Sequence, residues 1–127
     1  MRTLTKIFSV MVLALWLAGC ASSTITNLTP STMPRNASGQ YLVEMVIDHK
    51  QQALRDASIT PFVVVGFDSY KMTATPKIPG RWEAYIPVRA DQDLVTYHYK
   101  VQYEYNRFSK TPGQGTRLSS EFKLAIK

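Results

Sequence analysis

The sequence has one cysteine, Cys20, and two histidines, His49 and His98, among its 127 residues. A lone cysteine excludes an internal disulfide, and a metal site needs several ligands in a suitable geometry. The sequence also has no G-x-S-x-G nucleophile motif and no phosphate-binding glycine loop. We therefore expect no catalytic residues, no metal ion and no cofactor, and a protein that is not an enzyme.

Long runs of one charge are also missing. Fifteen basic and nine acidic residues give a formal net charge of +6, and the basic residues are scattered along the chain. Proteins that bind nucleic acids usually cluster their positive charge, so we expect no nucleic-acid partner. A weak attraction to anionic lipid headgroups or acidic polymers fits this charge better.

The N-terminal segment is apolar but too short to span a bilayer, which takes about 20 apolar residues. Arg2 and Lys6 precede the apolar stretch from Ile7 to Leu17, and this order is typical of an export signal. The next residues are Ala18, Gly19 and Cys20. The segment Leu17-Ala18-Gly19-Cys20 resembles the lipobox of bacterial lipoprotein precursors.

That resemblance implies a helical signal peptide over residues 1–19, cleavage before Cys20, and fatty acylation of Cys20, palmitate included. The lipid on Cys20 would bind the membrane, and the protein would belong to the bacterial cell envelope. Ala21 stands where an aspartate favours the inner membrane in enterobacterial lipoproteins, so the resemblance points to the outer membrane. The alternative is an ordinary secretory signal in which Cys20 occurs by chance.

Residues 95–106 form the clearest structural pattern of the chain. Val95, Tyr97, Tyr99, Val101, Tyr103 and Tyr105 alternate with polar residues. Side chains of a strand point to opposite faces in turn, so this alternation predicts a long central strand with one apolar face.

Shorter patterns of the same kind predict strands at 25–28, 40–48, 58–67, 70–75, 81–89 and 117–127, separated by turn residues. The apolar run in 58–67 predicts a strand that is buried on both sides. The stretch 49–57 is expected to be a loop with at most one helical turn, and 107–116, with Pro112, Gly113 and Gly115, a flexible loop.

About seven strands without a long amphipathic helix predict an all-β protein, an antiparallel β-sandwich. The segments Gly80-Arg81-Trp82 and 97–101 resemble immunoglobulin-like or early-set domains, and a similar rhythm occurs in starch-binding modules and in the N-terminal domains of glycogen-branching-type enzymes. The resemblance spans roughly residues 63–105 and implies an immunoglobulin-like sandwich, to which the strand pattern gives the bounds 40–127. Residues 20–39 would form the lipidated tether, with a first edge strand.

Aromatic residues are the candidates for contact with a ligand or partner: Tyr85, Tyr103, Tyr105 and Phe108. Tyr85 has the opposite parity to Trp82, and Tyr103 to Phe108 would extend beyond the sandwich as an adhesive patch. For Trp82 and the tyrosines of residues 95–106, the alternation favours a place in the core, and exposed platforms that stack sugar rings are the alternative.

These observations favour a lipid-anchored envelope protein that acts as a non-catalytic interaction or structural module. Its partner would be an envelope protein or another copy, bound at a sheet edge or at the aromatic patch. The alternative function is glycan binding, as an accessory module that stacks sugars on exposed aromatic rings.

Overall fold

A computed structural model describes residues 23–49, 56–108 and 111–127. The predicted signal-peptide helix and Cys20 lie outside the described residues. Ten strands follow one another along the described chain: β1 (Ser23–Asn27), β2 (Thr32–Met33), β3 (Gln40–His49), β4 (Thr60–Val65), β5 (Asp68–Lys71), β6 (Thr73–Ala74), β7 (Arg81–Pro87), β8 (Leu94–Tyr105), β9 (Gly113–Leu118) and β10 (Phe122–Ile126). A single 3₁₀ turn, Asp56–Ser58, precedes β4.

The strands form two sheets. One has the order β1-β3-β7-β6, and the other has the order β2-β10-β8-β4-β5. β9 pairs with the second half of β8, on the same side as β10. These orders reproduce an immunoglobulin-like sandwich, in which strands A, B, E and D face strands G, F and C with C′ added. The protein is therefore all-β with an immunoglobulin-like architecture.

The core lies between the sheets and consists of the inward-facing residues of both. It includes Tyr41, Val43, Met45, Val63, Met72, Ile86, Val88, Val95, Tyr97, Tyr99, Val101, Leu124 and Ile126. The alternation along β8 sets this burial, since Val95, Tyr97, Tyr99 and Val101 are all buried while their neighbours are not. Trp82 packs against the edge of this core.

The predicted strand count was too low because two strands are only two residues long and the last strand is divided. β9 and β10 pair with successive halves of β8, and residues 119–121 interrupt them. The segment 20–39 contributes β1 and β2 to the two sheets. No helix among the described residues has the length and apolar character needed to cross a membrane.

Two predictions about individual segments were wrong. The segment 113–116, expected to be a flexible loop, belongs to β9, because tyrosines of β8 cover its glycines. The run 58–67 is buried on one side only: Phe62 and Val64 are half-buried on the outer face. Lys100 covers the Phe62 ring there, with its Nζ 5.3 Å from the ring centroid.

The register of the strands defines the two ends of the sandwich. Gln40 pairs with Pro87 where β3 begins, and the amide of Ile126 bonds to the carbonyl of Asp93 just before β8 begins. We call this the far end. Ser23 pairs with His49 at the opposite end, which we call the near end because the chain enters the fold there.

Candidate functional site

The hairpin of β8 and β9 extends past the rest of its sheet towards the near end. β4 accompanies β8 only from His98 to Gln102, whereas β9 accompanies it up to Tyr105. Beyond Gln102, β8 therefore pairs with one strand rather than two among the described residues, and the side chain of Ser58 contacts it at Glu104.

Two tyrosines stiffen the hairpin by covering glycines on the opposite strand. Tyr103 pairs with Gly115, and Tyr105 pairs with Gly113. A Cβ atom at Gly113 would lie 2.3 Å from Cζ of Tyr105, and one at Gly115 would lie 2.5 Å from Cζ of Tyr103. The rings thus occupy the space of the missing side chains, as aromatic residues do in strands opposite glycine.

These tyrosines are half-buried, with ring centroids 6.4 Å apart. Phe108 follows them at the tip of the hairpin and is fully exposed. The neighbouring Arg107 bends back, and its Nε donates a hydrogen bond of 2.7 Å to the carbonyl of Thr111. The hairpin therefore exposes Phe108 at its tip, and the hydrogen bond from Arg107 to Thr111 stabilises the backbone on either side of it.

Tyr85, the fourth predicted contact residue, lies elsewhere. It is 62% exposed on the outer face of the other sheet, where it pairs with Leu42. The structure thus brings Tyr103, Tyr105 and Phe108 together in one hairpin and separates Tyr85 from them.

A polar groove lies on the outer face of the β4-β8-β9 sheet. It encloses about 360 Å³ and is lined by Ser58, Thr60, Gln102, Tyr103, Glu104, Gln114, Gly115 and Thr116. The hydroxyl of Ser58 fixes one wall, since the amide of Glu104 donates to its Oγ at 2.8 Å. Amide, hydroxyl and carboxylate groups converge here, and such groups form hydrogen bonds with hydroxyl-rich or peptide ligands.

The sequence reasoning missed Gln102, Gln114 and Thr116 as members of one site. The polar parity of β8 was visible, but it could not indicate that a glycine-rich segment would form a strand and place Gln114 and Thr116 opposite Glu104 and Gln102.

The outer edge of β9 has no strand beside it among the described residues. Hydrogen-bonded and non-bonded pairs alternate in an antiparallel ladder. The amide of Ser119 donates to the carbonyl of Tyr99 at 2.9 Å, so Lys100–Leu118, Gln102–Thr116 and Glu104–Gln114 are the non-bonded pairs. The backbone amides of Gln114, Thr116 and Leu118 therefore point away from β8, towards the open edge.

A buried cluster of hydroxyl groups holds the first strand against the second sheet. The Tyr99 hydroxyl donates to Oδ1 of Asn27 at 2.7 Å and lies 3.1 Å from the carbonyl of Glu44. Nδ2 of Asn27 donates to the Tyr97 hydroxyl at 3.1 Å, and Thr29 Oγ1 lies 3.2 Å from the Tyr99 hydroxyl. Burial raises the pKa of Tyr99 above its usual range, against a lowering by the hydrogen bond to Thr29.

This cluster is structural. Tyr99 links β8 to β3, the strands that correspond to F and B, which a disulfide joins in antibody domains. In the described part of the chain no group of three or more histidine, cysteine or acidic residues could hold a metal ion. His98 is half-buried on the polar face of β8, and the side chain of His49 is not described.

Comparison with known proteins adds little. No protein-family profile matches the sequence, and no curated protein does. Among solved structures, murine CRIg is similar over 82% of this chain and 98% of its own, with 16% sequence identity and a TM-score of 0.46. The immunoglobulin-like assignment is supported by the strand order itself.

Proposed function

We propose that this protein is a lipid-anchored lipoprotein of the bacterial cell envelope whose immunoglobulin-like domain binds an extended segment of a partner protein at the open edge of β9. The outer membrane is its expected location. The proposal has two parts, an anchor and a binding surface, and each has its own support and its own test.

The lipobox-like segment Leu17-Ala18-Gly19-Cys20 supports the anchor. Only two residues separate Cys20 from β1, which begins at Ser23, so the folded domain would start almost directly at the lipid. Mass spectrometry of the N-terminal peptide, from protein expressed in bacterial membranes, tests this part. We expect a diacylglyceryl and acyl mass on Cys20 and its loss in Cys20→Ala. An unmodified cysteine would contradict the anchor.

The observation that carries the binding surface is the set of outward amides of Gln114, Thr116 and Leu118. A free edge offers main-chain donors and acceptors to an added strand, which is a common mode of peptide recognition. Natural proteins usually protect such edges with prolines, charges or covering segments. Along β9 the open edge carries Arg117 as its one charged residue.

Photo-crosslinking in bacterial cells tests the surface. A photoreactive residue at Gln114 should crosslink to a partner, whereas one at Tyr85, which is also exposed but lies on the other sheet, should not. Thr116→Pro provides the sharper control because it removes an outward amide and leaves the bonded pairs with β8 intact. Crosslinks that persist in Thr116→Pro, or that arise equally from Tyr85, would overturn the proposal.

Glycan binding is the second candidate, and the polar groove favours it. Gln102, Gln114, Thr60 and Thr116 provide uncharged donors and acceptors there. Calorimetric titration with polysaccharides and peptidoglycan fragments distinguishes the candidates. Saturable heat that is lost in Gln102→Ala would support the glycan function, and no heat with any member of the panel would exclude it for that panel.

A further inference from the structure

The two ends of the sandwich differ in what they expose, and they differ in their distance from the lipid attachment residue. Cys20 precedes Ser23 by three residues, which span at most about 10 Å even when fully extended. Ser23 lies at the near end, paired with His49. A lipid on Cys20 would therefore hold the near end against the bilayer.

The β8-β9 hairpin points to this same end. The far end contains the start of β8, where the amide of Ile126 bonds to Asp93 and the side chain of Arg35 bonds to Asp93 at 2.7 Å. From the far end, β8 runs towards the near end over its whole length. At about 3.3 Å per residue, Tyr105 lies about 33 Å from Val95. Phe108, beyond Tyr105, is consequently on the near side of the sandwich.

The near end exposes apolar and basic groups together. Phe108 is fully exposed, and Ile78, in the turn that enters β7, is exposed as well. Lys77 and Arg107 lie beside them in sequence, and neither forms an ion pair with a carboxylate within the described part of the chain. A shallow hollow of about 310 Å³ between Ala74 and Trp82 adds Pro79 and Ile78 to this surface.

The far end has a different character. Its arginines are paired, Arg35 with Asp93 and Arg89 with Asp91 at 3.3 Å. It also has one fully exposed phenylalanine, Phe67, in the two-residue turn between β4 and β5. Exposed phenylalanine thus occurs at both ends, and at the near end an arginine, Arg107, directly precedes it in the sequence.

We propose that the near end lies on the bilayer surface, with Phe108 inserted among the headgroups and Lys77 and Arg107 in contact with anionic lipid. This inference rests on the proposed lipid anchor and adds an orientation to it. An aromatic side chain with a basic neighbour suits the membrane interface, where apolar burial and attraction to anionic headgroups act together. The lipid on Cys20 and the contact at the near end would together hold the strands roughly perpendicular to the membrane. The edge of β9 would then run away from the membrane surface.

The test places a tryptophan at each end of the full-length, lipidated protein. Phe108→Trp and Phe67→Trp change equally exposed residues at opposite ends, and both keep Trp82 as a common background. Each variant is reconstituted in vesicles of phosphatidylethanolamine and phosphatidylglycerol, with tails brominated near the headgroup to quench tryptophan at that depth. Unbrominated vesicles provide the reference for each variant.

We expect Phe108→Trp to lose most of its added fluorescence in brominated vesicles and Phe67→Trp to keep it. The loss should weaken when Lys77→Glu is added or when salt screens the headgroups. Equal quenching of the two variants, or none in either, would overturn the orientation if the acyl mass is present on Cys20. If the acyl mass is missing, the anchor fails, and the orientation fails with it.

Discussion

At the scale of single residues, Tyr99 is the most consequential side chain of the fold. It is completely buried, and its hydroxyl bonds to Asn27 and faces the main chain of Glu44 and the hydroxyl of Thr29. A buried hydroxyl is tolerated only when its hydrogen bonds are satisfied. The first strand and the loop after it provide Asn27 and Thr29, and β3 provides Glu44, so one phenol couples the attachment of β1 to the packing of β8.

Tyr99→Phe should lower the free energy of unfolding by about 0.5–1.5 kcal/mol, because the buried hydrogen bond from the Tyr99 hydroxyl to Oδ1 of Asn27 is lost. The Glu44 carbonyl keeps the amide of Leu28 as a donor, at 2.9 Å. Chemical denaturation followed by Trp82 fluorescence measures the change. Tyr85→Phe, on the exposed outer face, should stay within about 0.5 kcal/mol of the parent. Equal effects of the two substitutions would show that the buried hydroxyl cluster does not contribute.

The raised pKa of Tyr99 predicts a loss of stability in alkali. In the unfolded chain Tyr99 releases its proton near pH 10, whereas the folded protein retains it, so folding becomes less favourable as pH rises above about 10. Below that pH the contribution is constant. Unfolding measured between pH 8 and about pH 11 should show a steeper decline in the parent than in Tyr99→Phe. Parallel declines would mean that Tyr99 titrates normally.

At the scale of elements, the hairpin pairs β8, which is rich in the strong strand formers tyrosine and valine, with β9, which contains two glycines. Gly113 and Gly115 would normally weaken a strand, since glycine has no side chain to pack. Tyr105 and Tyr103 lie across them and compensate for this loss. The hairpin can thus extend beyond the sandwich, and it forms both the polar groove and the open edge.

Gly113→Ala should destabilise the protein by about 1–3 kcal/mol, because the added methyl group would overlap the Tyr105 ring. Gln114→Ala, a neighbouring exposed substitution, should have little effect on stability. In a double-mutant cycle, Tyr105→Ala should relieve part of the cost of Gly113→Ala. If the two changes were simply additive, the ring would not lie over the glycine in solution.

At the scale of the whole molecule, the first strands are part of the sandwich rather than a tether. β1 pairs with β3 along its whole length, and β2 pairs in parallel with β10. β1 and β2 therefore cover one edge of each sheet. The link between Cys20, the proposed site of the lipid, and the folded domain is correspondingly short, and the orientation proposed above depends on that shortness.

A chain that begins at Gln40 should be much less stable than one that begins at Ala21. It would lack β1, β2 and Asn27, whose side chain bonds to the hydroxyls of both Tyr97 and Tyr99, while Glu44 would remain as a partner of Tyr99. The unpaired Tyr97 hydroxyl and the lost strand pairing together cost about 3 kcal/mol or more. For a domain of this size we expect a melting temperature lower by about 10–20 °C. Thermal melts followed by circular dichroism measure it, and equal melting temperatures would show that residues 21–39 are dispensable.

The sequence alone was sufficient to determine the class of the fold and the positions of the long strands. Side-chain direction alternates residue by residue along β8, so the burial of Tyr97 and Tyr99 could be read locally. The tertiary structure alone decided what depends on pairing between distant segments: the strand at Gly113–Leu118, the groove between Gln102 and Thr116, and the open edge of β9. Pairing across strands is a long-range property, since the covering ring and the glycine beneath it belong to different segments of the chain.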